Sequence, residues 1–343
     1  MTTSLEQPIN WRQAYSLRWR RRRALWRSWR ARHHLRAVVD RTDTIAPADI
    51  LAVVVLRNEI TRLPYFLDHY RRLGVAQFLV VDNDSDDGSA EYLAAQPDVS
   101  LWHTGQSYHA ARFGLDWLTW LQIKYAHGHW CLMVDADELL VYSGDETHDL
   151  QALTSWLDSQ GQVGFGALML DMYPKGPLDQ CFYSPGQDPR EVMQWFDPSP
   201  YRVVRQEPIG NLWVQGGARE RVFYGDDPQC SPTLNKIPLV KWHRRYSYVN
   251  STHSLLPPQL NRLYDGPGGT APSGVLLHTK FLPEIVSKSA IEKQRQQHFH
   301  APNDFDHYYD KLSTAPDLWH SQAVKLQGAA QLEALGLMRA PEW

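Results

Sequence analysis

The sequence predicts an α/β protein organised around a largely parallel β-sheet. Two observations carry that expectation. Between residue 51 and about residue 136, short runs of branched apolar residues alternate with segments of helical period, and such alternation implies parallel strand pairing. Three of the runs also end in clusters of charged and amide side chains, where ligands sit in such sheets, beyond the carboxyl ends of the strands.

The segment before the alternation stands apart. Residues 1 to 41 hold eleven Arg against Glu6 and Asp40, a balance of plus 9, so the formal minus 3 of the whole chain leaves minus 12 for residues 42 to 343. The stretch "WRQAYSLRWRRRRALWRSWRARHHLRAVVDR" has no Pro or Gly and predicts a helix with Trp11, Tyr15, Trp19 and Trp26 near one face. Arg20, Arg21, Arg23, Arg27 and Arg30 surround that face. Trp with Arg suits an anionic membrane surface; docking on the protein's own domain or a second subunit is the plainer reading, and nucleic acid is not expected.

The elements then follow in order. "LAVVVL" (51–56) is a strand and "RLPYFLDHYRRLG" (62–74) a helix, with Pro64 in its first turn and Gly74 as its stop. "QFLVVDN" is the next strand, "DGSAEYLAAQ" a capped helix, "VSLWHT" a third strand and "AARFGLDWLTWLQIKYA" a long helix leading into the strand "WCLMVDA". Beyond residue 145, "DLQALTSWLDSQ" is a helix, "VGFGALMLDMY" a strand, and 174–200 a loop rich in Pro and Gly. "ERVFYG", "KIPLVKW" and "GVLLHTKFL" are shorter segments, followed by a helix from about Pro283 to Phe299. The expected organisation is a basic helical appendage (1–45), a ligand-binding half (46–145), a second half (146–282) and a C-terminal helical segment (283–343).

Composition excludes several classes. With 343 residues, 43% hydrophobic and 21% charged, the chain has the balance of a soluble globular protein. It has no apolar run near the roughly 20 residues of a membrane span and no visible signal peptide, so a cytoplasmic location is expected. Cys131, Cys181 and Cys230 lack the pairing and spacing of a disulfide framework or a structural zinc site.

Three strand ends carry the chemistry. The first delivers Arg57, Asn58 and Glu59; the second Asp82, Asn83 and Asp84; the fourth Asp135, Asp137 and Glu138. If the strands are neighbours, these groups share one crevice. In an extended segment Asp135 and Asp137 point to one side, and two hard carboxylates suit Mg²⁺ or Mn²⁺ beside a diphosphate. A solvated turn or helix cap is the alternative for such a cluster.

"VVDNDSDDGS" resembles the "VDDGSTDGT" element of family 2 glycosyltransferases, "AARFG" resembles their "ARNxG" element, and "LMVDADE" their DxD motif. The resemblance covers roughly residues 50 to 145. A narrower likeness, through "LDMYPKGPL", "GGARERVF", "KIPLVKW", "STHSLLP" and "LLHTKFL", extends over most of the chain to a bacterial subgroup with an Arg-rich N-terminal helix. It implies a GT-A fold, a Rossmann-like, nucleotide-sugar-binding mixed sheet flanked by helices, with the basic helix added. It also implies a metal-dependent inverting glycosyltransferase that uses a UDP-type donor and Mn²⁺ or Mg²⁺, with a glycan or lipid-linked acceptor in cell-surface or exopolysaccharide synthesis. Such a protein would sit peripherally at the inner face of the plasma membrane. The rival readings are a nucleotidyltransferase, for which "VLRNEITR" lacks the glycines of a phosphate loop, and a non-catalytic scaffold of a polysaccharide assembly.

The resemblance also suggests roles. Asp82 would meet the base and Arg112 the base or diphosphate, with Arg57, Asn58, Glu59, Asp84 and Lys280 around the donor; Asp84 could equally form an Asx turn. Asp135 would serve ribose and metal, Asp137 would be the main metal ligand, and His278 could complete the shell or be a buried structural histidine. Asp171 and Glu220 are the base candidates, with Asp226 and Asp227 as further options; Asp171 could also be a turn acceptor. Glu138, His253, Trp195 and Trp213, with Tyr201, are placed with the acceptor. His103, His127, His129 and the His298/His300 pair are expected to be structural or solvated.

Overall fold

The computed structural model describes residues 10–286, 289 and 306–343. In chain order the strands are β1 (Arg36–Val39), β2 (Leu51–Leu56), β3 (Gln77–Asp82), β4 (Val99–His103), β5 (Trp130–Met133), β6 (Glu138–Val141), β7 (Gly164–Asp171), β8 (Trp195–Phe196), β9 (Tyr201–Gln206), β10 (Asn211–Gly216), β11 (Asn235–Lys241), β12 (Ser247–Tyr248), β13 (Leu255–Leu256), β14 (Ser273–His278) and β15 (Val324–Lys325). Helices α1 (Trp11–Ala31), α2 (Leu63–Arg72), α3 (Ser89–Ala94), α4 (Leu115–Tyr125), α5 (Leu150–Ser159) and α6 (Gly217–Phe223) precede two more at Asp306–Ser313 and Ala329–Ala334.

Nine strands form one sheet in the order β1-β4-β3-β2-β5-β11-β7-β14-β6. β4, β3, β2 and β5 run parallel, as the alternating pattern requires. β11 enters antiparallel between β5 and β7, and β6 pairs antiparallel with β14, so the complete sheet is mixed. Every residue of β2 is buried, which explains its continuous apolar run. Ala52, Val54 and Leu56 join a core layer with Phe66 and Tyr70 of α2 and Leu153 of α5; Leu51, Val53 and Val55 join the opposite layer with Leu115, Leu118 and Leu121 of α4. A third core packs β7, β14 and β6 against α6 and the helix Asp306–Ser313. Burying each such aliphatic side chain stabilises the fold by roughly 1.5–3 kcal/mol. The fold is thus a mixed α/β architecture, a large central sheet flanked by helices, with an added basic helix.

Two local expectations change, and one segment left unassigned by the sequence gains a structure. The basic helix stops at Ala31, and Arg36–Val39 instead pairs antiparallel with β4 as the edge strand of the main sheet. Helix α4 begins only at Leu115, because Arg112, Phe113 and Gly114 all take left-handed φ values of 54°, 58° and 76°. The "ERVFYG" segment falls within and just after α6. Beyond Val286 the helix expected from Pro283 lies almost wholly outside the described residues, and so does the His298/His300 pair.

Candidate functional site

The registers of two sets of strands assemble the site. β3 lies beside β2, with Leu56 opposite Asp82, and β5 lies on the other side of β2, so the three polar strand ends are adjacent. Hydrogen bonds tie the first two together: Asn58 donates its backbone N–H to Ser85 Oγ, Glu59 to Ser89 Oγ and Ile60 to Asp87 Oδ2. Asn58 and Asp84 take left-handed φ values of 55° and 64°. Asp84 thus adopts a conformation that glycine takes most readily. On the far half of the sheet, β14 sets His278 opposite Glu138 of β6 and Asp171 of β7.

The acidic segment is a turn between β5 and β6, not an extended strand, with the Glu138 amide donating to the Asp135 carbonyl at 3.1 Å. Asp135 and Asp137 therefore find different partners instead of aiming at one point. The ammonium of Lys236, on β11, lies 3.3 Å from Asp135 Oδ2 and 2.9 Å from Glu138 Oε1. Burial opposes its charge, but Glu138 and Asp135 outweigh burial and raise its pKa, so Lys236 stays protonated. Asp137 turns to His278, whose Nε2 is 3.3 Å from Asp137 Oδ2.

A chain of charge continues behind His278. Its Nδ1 is 2.7 Å from Asp171 Oδ1, and the other oxygen of Asp171 accepts from Arg219 Nε at 2.7 Å. Burial would raise the Asp171 pKa, yet Arg219 and His278 outweigh it and bring it down to about 2. Burial also acts on Asp137, but His278, Arg62 and Lys280 hold its carboxyl well below the usual range. For His278 burial favours the neutral ring; the two carboxylates prevail and raise its pKa.

Of these groups, all but Asp171 line a cleft of about 540 Å³. Arg57, Arg62, Arg219, Lys236 and Lys280 line it together with Glu59, Asp86, Asp135, Asp137 and Glu138, so cations and carboxylates interleave around one cavity. Arg62 is only 6% exposed and pairs with Glu59 at 2.6 Å. Burial and repulsion from Arg219 lower the pKa of Lys280.

Of the residues singled out from sequence, Arg57, Asn58, Glu59, Asn83, Asp135, Asp137, Glu138, His253, His278 and Lys280 line the cleft. His253 there is held by the Asn235 carbonyl, and burial, then Lys236, lower its pKa to about 3. Asp82 lies just beneath, 1% exposed; its Oδ2 lies 3.3 Å from His103 Nδ1, and its Oδ1 has no hydrogen-bond partner among the described residues. The others lie apart. Arg112 folds onto Asp116 with contacts of 2.6 and 2.8 Å. Asp84 is 61% exposed, 3.8 Å from Arg57. Asp171 stands behind His278, and Glu220 accepts from both Nη atoms of Arg202 at 2.6 and 2.7 Å. Trp195 packs edge-on against Trp319, and Trp213 belongs to the β9–β10 hairpin. Sequence reading missed Arg62, Arg219 and Lys236. Their only signal was charge inside apolar or helical segments.

Among the described residues, no group of three His, Cys, Asp or Glu side chains forms a metal cluster, because Asp135 is drawn to Lys236. Asp137 and His278 still fit a divalent cation as a pair, since Asp171 on Nδ1 fixes the ring with Nε2 toward Asp137. Mg²⁺ is commonly bound through one or two carboxylates, with water and substrate oxygens completing its shell, so for that ion Asp137 would be the protein ligand.

No family model matches the chain, and no curated protein does. Among solved structures it is similar to the mannosyltransferase PcManGT from Pyrobaculum calidifontis in complex with GDP-Man and Mn²⁺, at 21% identity over 48% of this chain and 47% of that one, with a TM-score of 0.26. It is similar to 4-diphosphocytidyl-2C-methyl-D-erythritol synthase at 20% identity, over 41% of this chain and 66% of that one, with a TM-score of 0.25. It is also similar to UTP-bound UGPase from Acinetobacter baumannii at 11% identity, over 76% and 98% of the two chains, with a TM-score of 0.30. The chain spans about half the length of the mannosyltransferase.

Proposed function

We propose that the protein is a nucleotide-sugar-dependent glycosyltransferase that moves a sugar from a UDP-type donor to a glycan or lipid-linked acceptor. The observation that carries this reading is the convergence of Asp135, Asp137, His278 and five basic side chains on one cleft at the carboxyl ends of β2 and β5. Arg57, Arg62 and Lys280 suit the donor phosphates, and buried Asp82, whose Oδ1 has no hydrogen-bond partner among the described residues, suits a ring N–H of the base. Asp137 and His278 would hold a divalent cation, which when bound neutralises the diphosphate as it leaves. Asp171 orients the His278 ring and Arg219 fixes Asp171; with both oxygens engaged, Asp171 is a positioning residue and not the base. The acceptor proton in an inverting displacement then goes to a cleft carboxylate. Asp135, whose side chain is 47% exposed, is our assignment.

Thermal shift with UDP-, GDP- and CMP-sugars, with and without Mn²⁺, tests the reading. A Mn²⁺-dependent shift with a UDP-sugar, abolished in Asp137→Ala, is expected. Pyrophosphate release from a nucleoside triphosphate and a sugar phosphate would instead make the protein a nucleotidyltransferase, and retained activity in Asp137→Ala would remove the metal assignment.

A further inference from the structure

The outward side of α1 is a second chemically distinct surface. Successive helical residues rotate by about 100°, so Leu17, Ala24, Ser28 and Ala31, the buried positions, fall on one side of α1. That side packs against α4, and Arg27 secures it through Asp116 Oδ2 at 3.2 Å and the Ala110 carbonyl at 2.9 Å. Trp11, Tyr15, Trp19, Trp26 and Trp29 fall within an arc of about 80° on the opposite side. They are 49% to 74% exposed. Arg12, Arg18, Arg22, Arg23 and Arg30 lie within or beside the same arc, all exposed, and residues 10 to 39 contain no Asp or Glu. The guanidinium groups of Arg12 and Arg30 sit 5.3 and 4.9 Å from the ring centroids of Trp11 and Trp26.

We propose that this face docks the protein on an anionic lipid surface. A helix that serves only its own domain needs one apolar side, and here the side holding Leu17 and Ala24 already fills that role. The aromatic side remains in water, a costly arrangement for five large rings unless something covers them. Tryptophan and tyrosine rings settle at headgroup depth, and arginines bordering them complement lipid phosphates. A 21-residue helix is a ridge roughly 30 Å long, a shape that suits a planar surface. A symmetric pairing of two copies would instead oppose two arginine-rich faces with no acid between them.

The test is co-sedimentation of the full chain with vesicles of phosphatidylcholine, with and without phosphatidylglycerol. Binding only to the anionic vesicles, weakening as salt rises, is expected. Arg18→Glu, Arg22→Glu and Arg23→Glu together should weaken binding by about a hundred-fold or more, at roughly 1 kcal/mol per cation. Trp11→Ser, Trp19→Ser and Trp26→Ser together should reduce the binding that survives at high salt, with an unchanged thermal melt showing that the fold is intact. If either variant unfolds, quenching of the wild-type tryptophans by brominated lipid supplies the same answer. Absence of binding to anionic vesicles, absence of quenching, indifference to both sets of substitutions, or tighter binding to single-stranded RNA would each overturn the proposal.

Discussion

Lys236 and Glu138 form an ion pair at 2.9 Å with side chains only 3% and 1% exposed. The acidic turn is therefore partly neutralised from within the fold, by a residue on a different strand. Removing one member of a buried pair strands the other charge, which typically costs about 3–5 kcal/mol, whereas replacing both can be close to neutral. Lys236→Met should accordingly lower the urea midpoint sharply. Adding Glu138→Gln should recover a large part of the loss, and a double variant no more stable than Lys236→Met would show that the pair does not matter.

The two sequence candidates for the base should behave differently. Asp171 is 2% exposed between His278 and Arg219, so Asp171→Asn leaves a buried guanidinium without its carboxylate and should cost about 3–5 kcal/mol. Glu220 pairs with Arg202, whose side chain is 47% exposed, and Glu220→Gln should cost no more than about 1 kcal/mol. Denaturant melts of the two variants check the contrast. Equal losses would place the two carboxylates in the same kind of environment.

What was legible in the sequence was local. The ends of β2 and β3 are adjacent as strand-helix alternation implies for consecutive strands, and Arg57, Asp82 and Asp135 stood at recognisable boundaries; that β5 pairs with β2 and not with β4, the strand before it in sequence, the alternation did not reveal. Lys236 was not legible, because it lies 101 residues from Asp135 inside a run that looks like an ordinary strand. Period-two reasoning placed Asp135 and Asp137 on one side, but the backbone turns between β5 and β6 and sends them to Lys236 and His278. Arg112 lies four residues before Asp116, a spacing that allowed the observed ion pair as readily as a donor contact.

Gly114 tests the left-handed segment that packs beneath two cleft-lining side chains. Its φ is 76°, and a Cβ added there would lie 2.7 Å from Val55 Cγ1 and 3.2 Å from Tyr108, both of which line the cleft. Gly114→Ala should cost about 1–3 kcal/mol in backbone strain and displace Val55 and Tyr108. The expected signature is a lower melting temperature together with a weaker donor-induced shift, while a variant that melts like the parent would contradict the close packing.

His253 and His69 should make stability fall toward acid pH. Burial, then Lys236, brings His253 down to about 3, and burial, then Arg190, brings His69 down to about 4, against an ordinary value near 6.5. Between these values the unfolded chain binds protons that the folded chain refuses, so stability rises with pH across the window. The contribution is complete above about pH 6.5 and is progressively lost as pH falls toward the folded values. His253→Asn, which can keep a donor toward the Asn235 carbonyl but cannot titrate, should flatten the curve between about pH 3 and 6.5 by on the order of a few kcal/mol. Denaturant melts at stepped pH measure this, and parallel curves for the parent and the variant would mean that His253 protonates freely in the folded cleft.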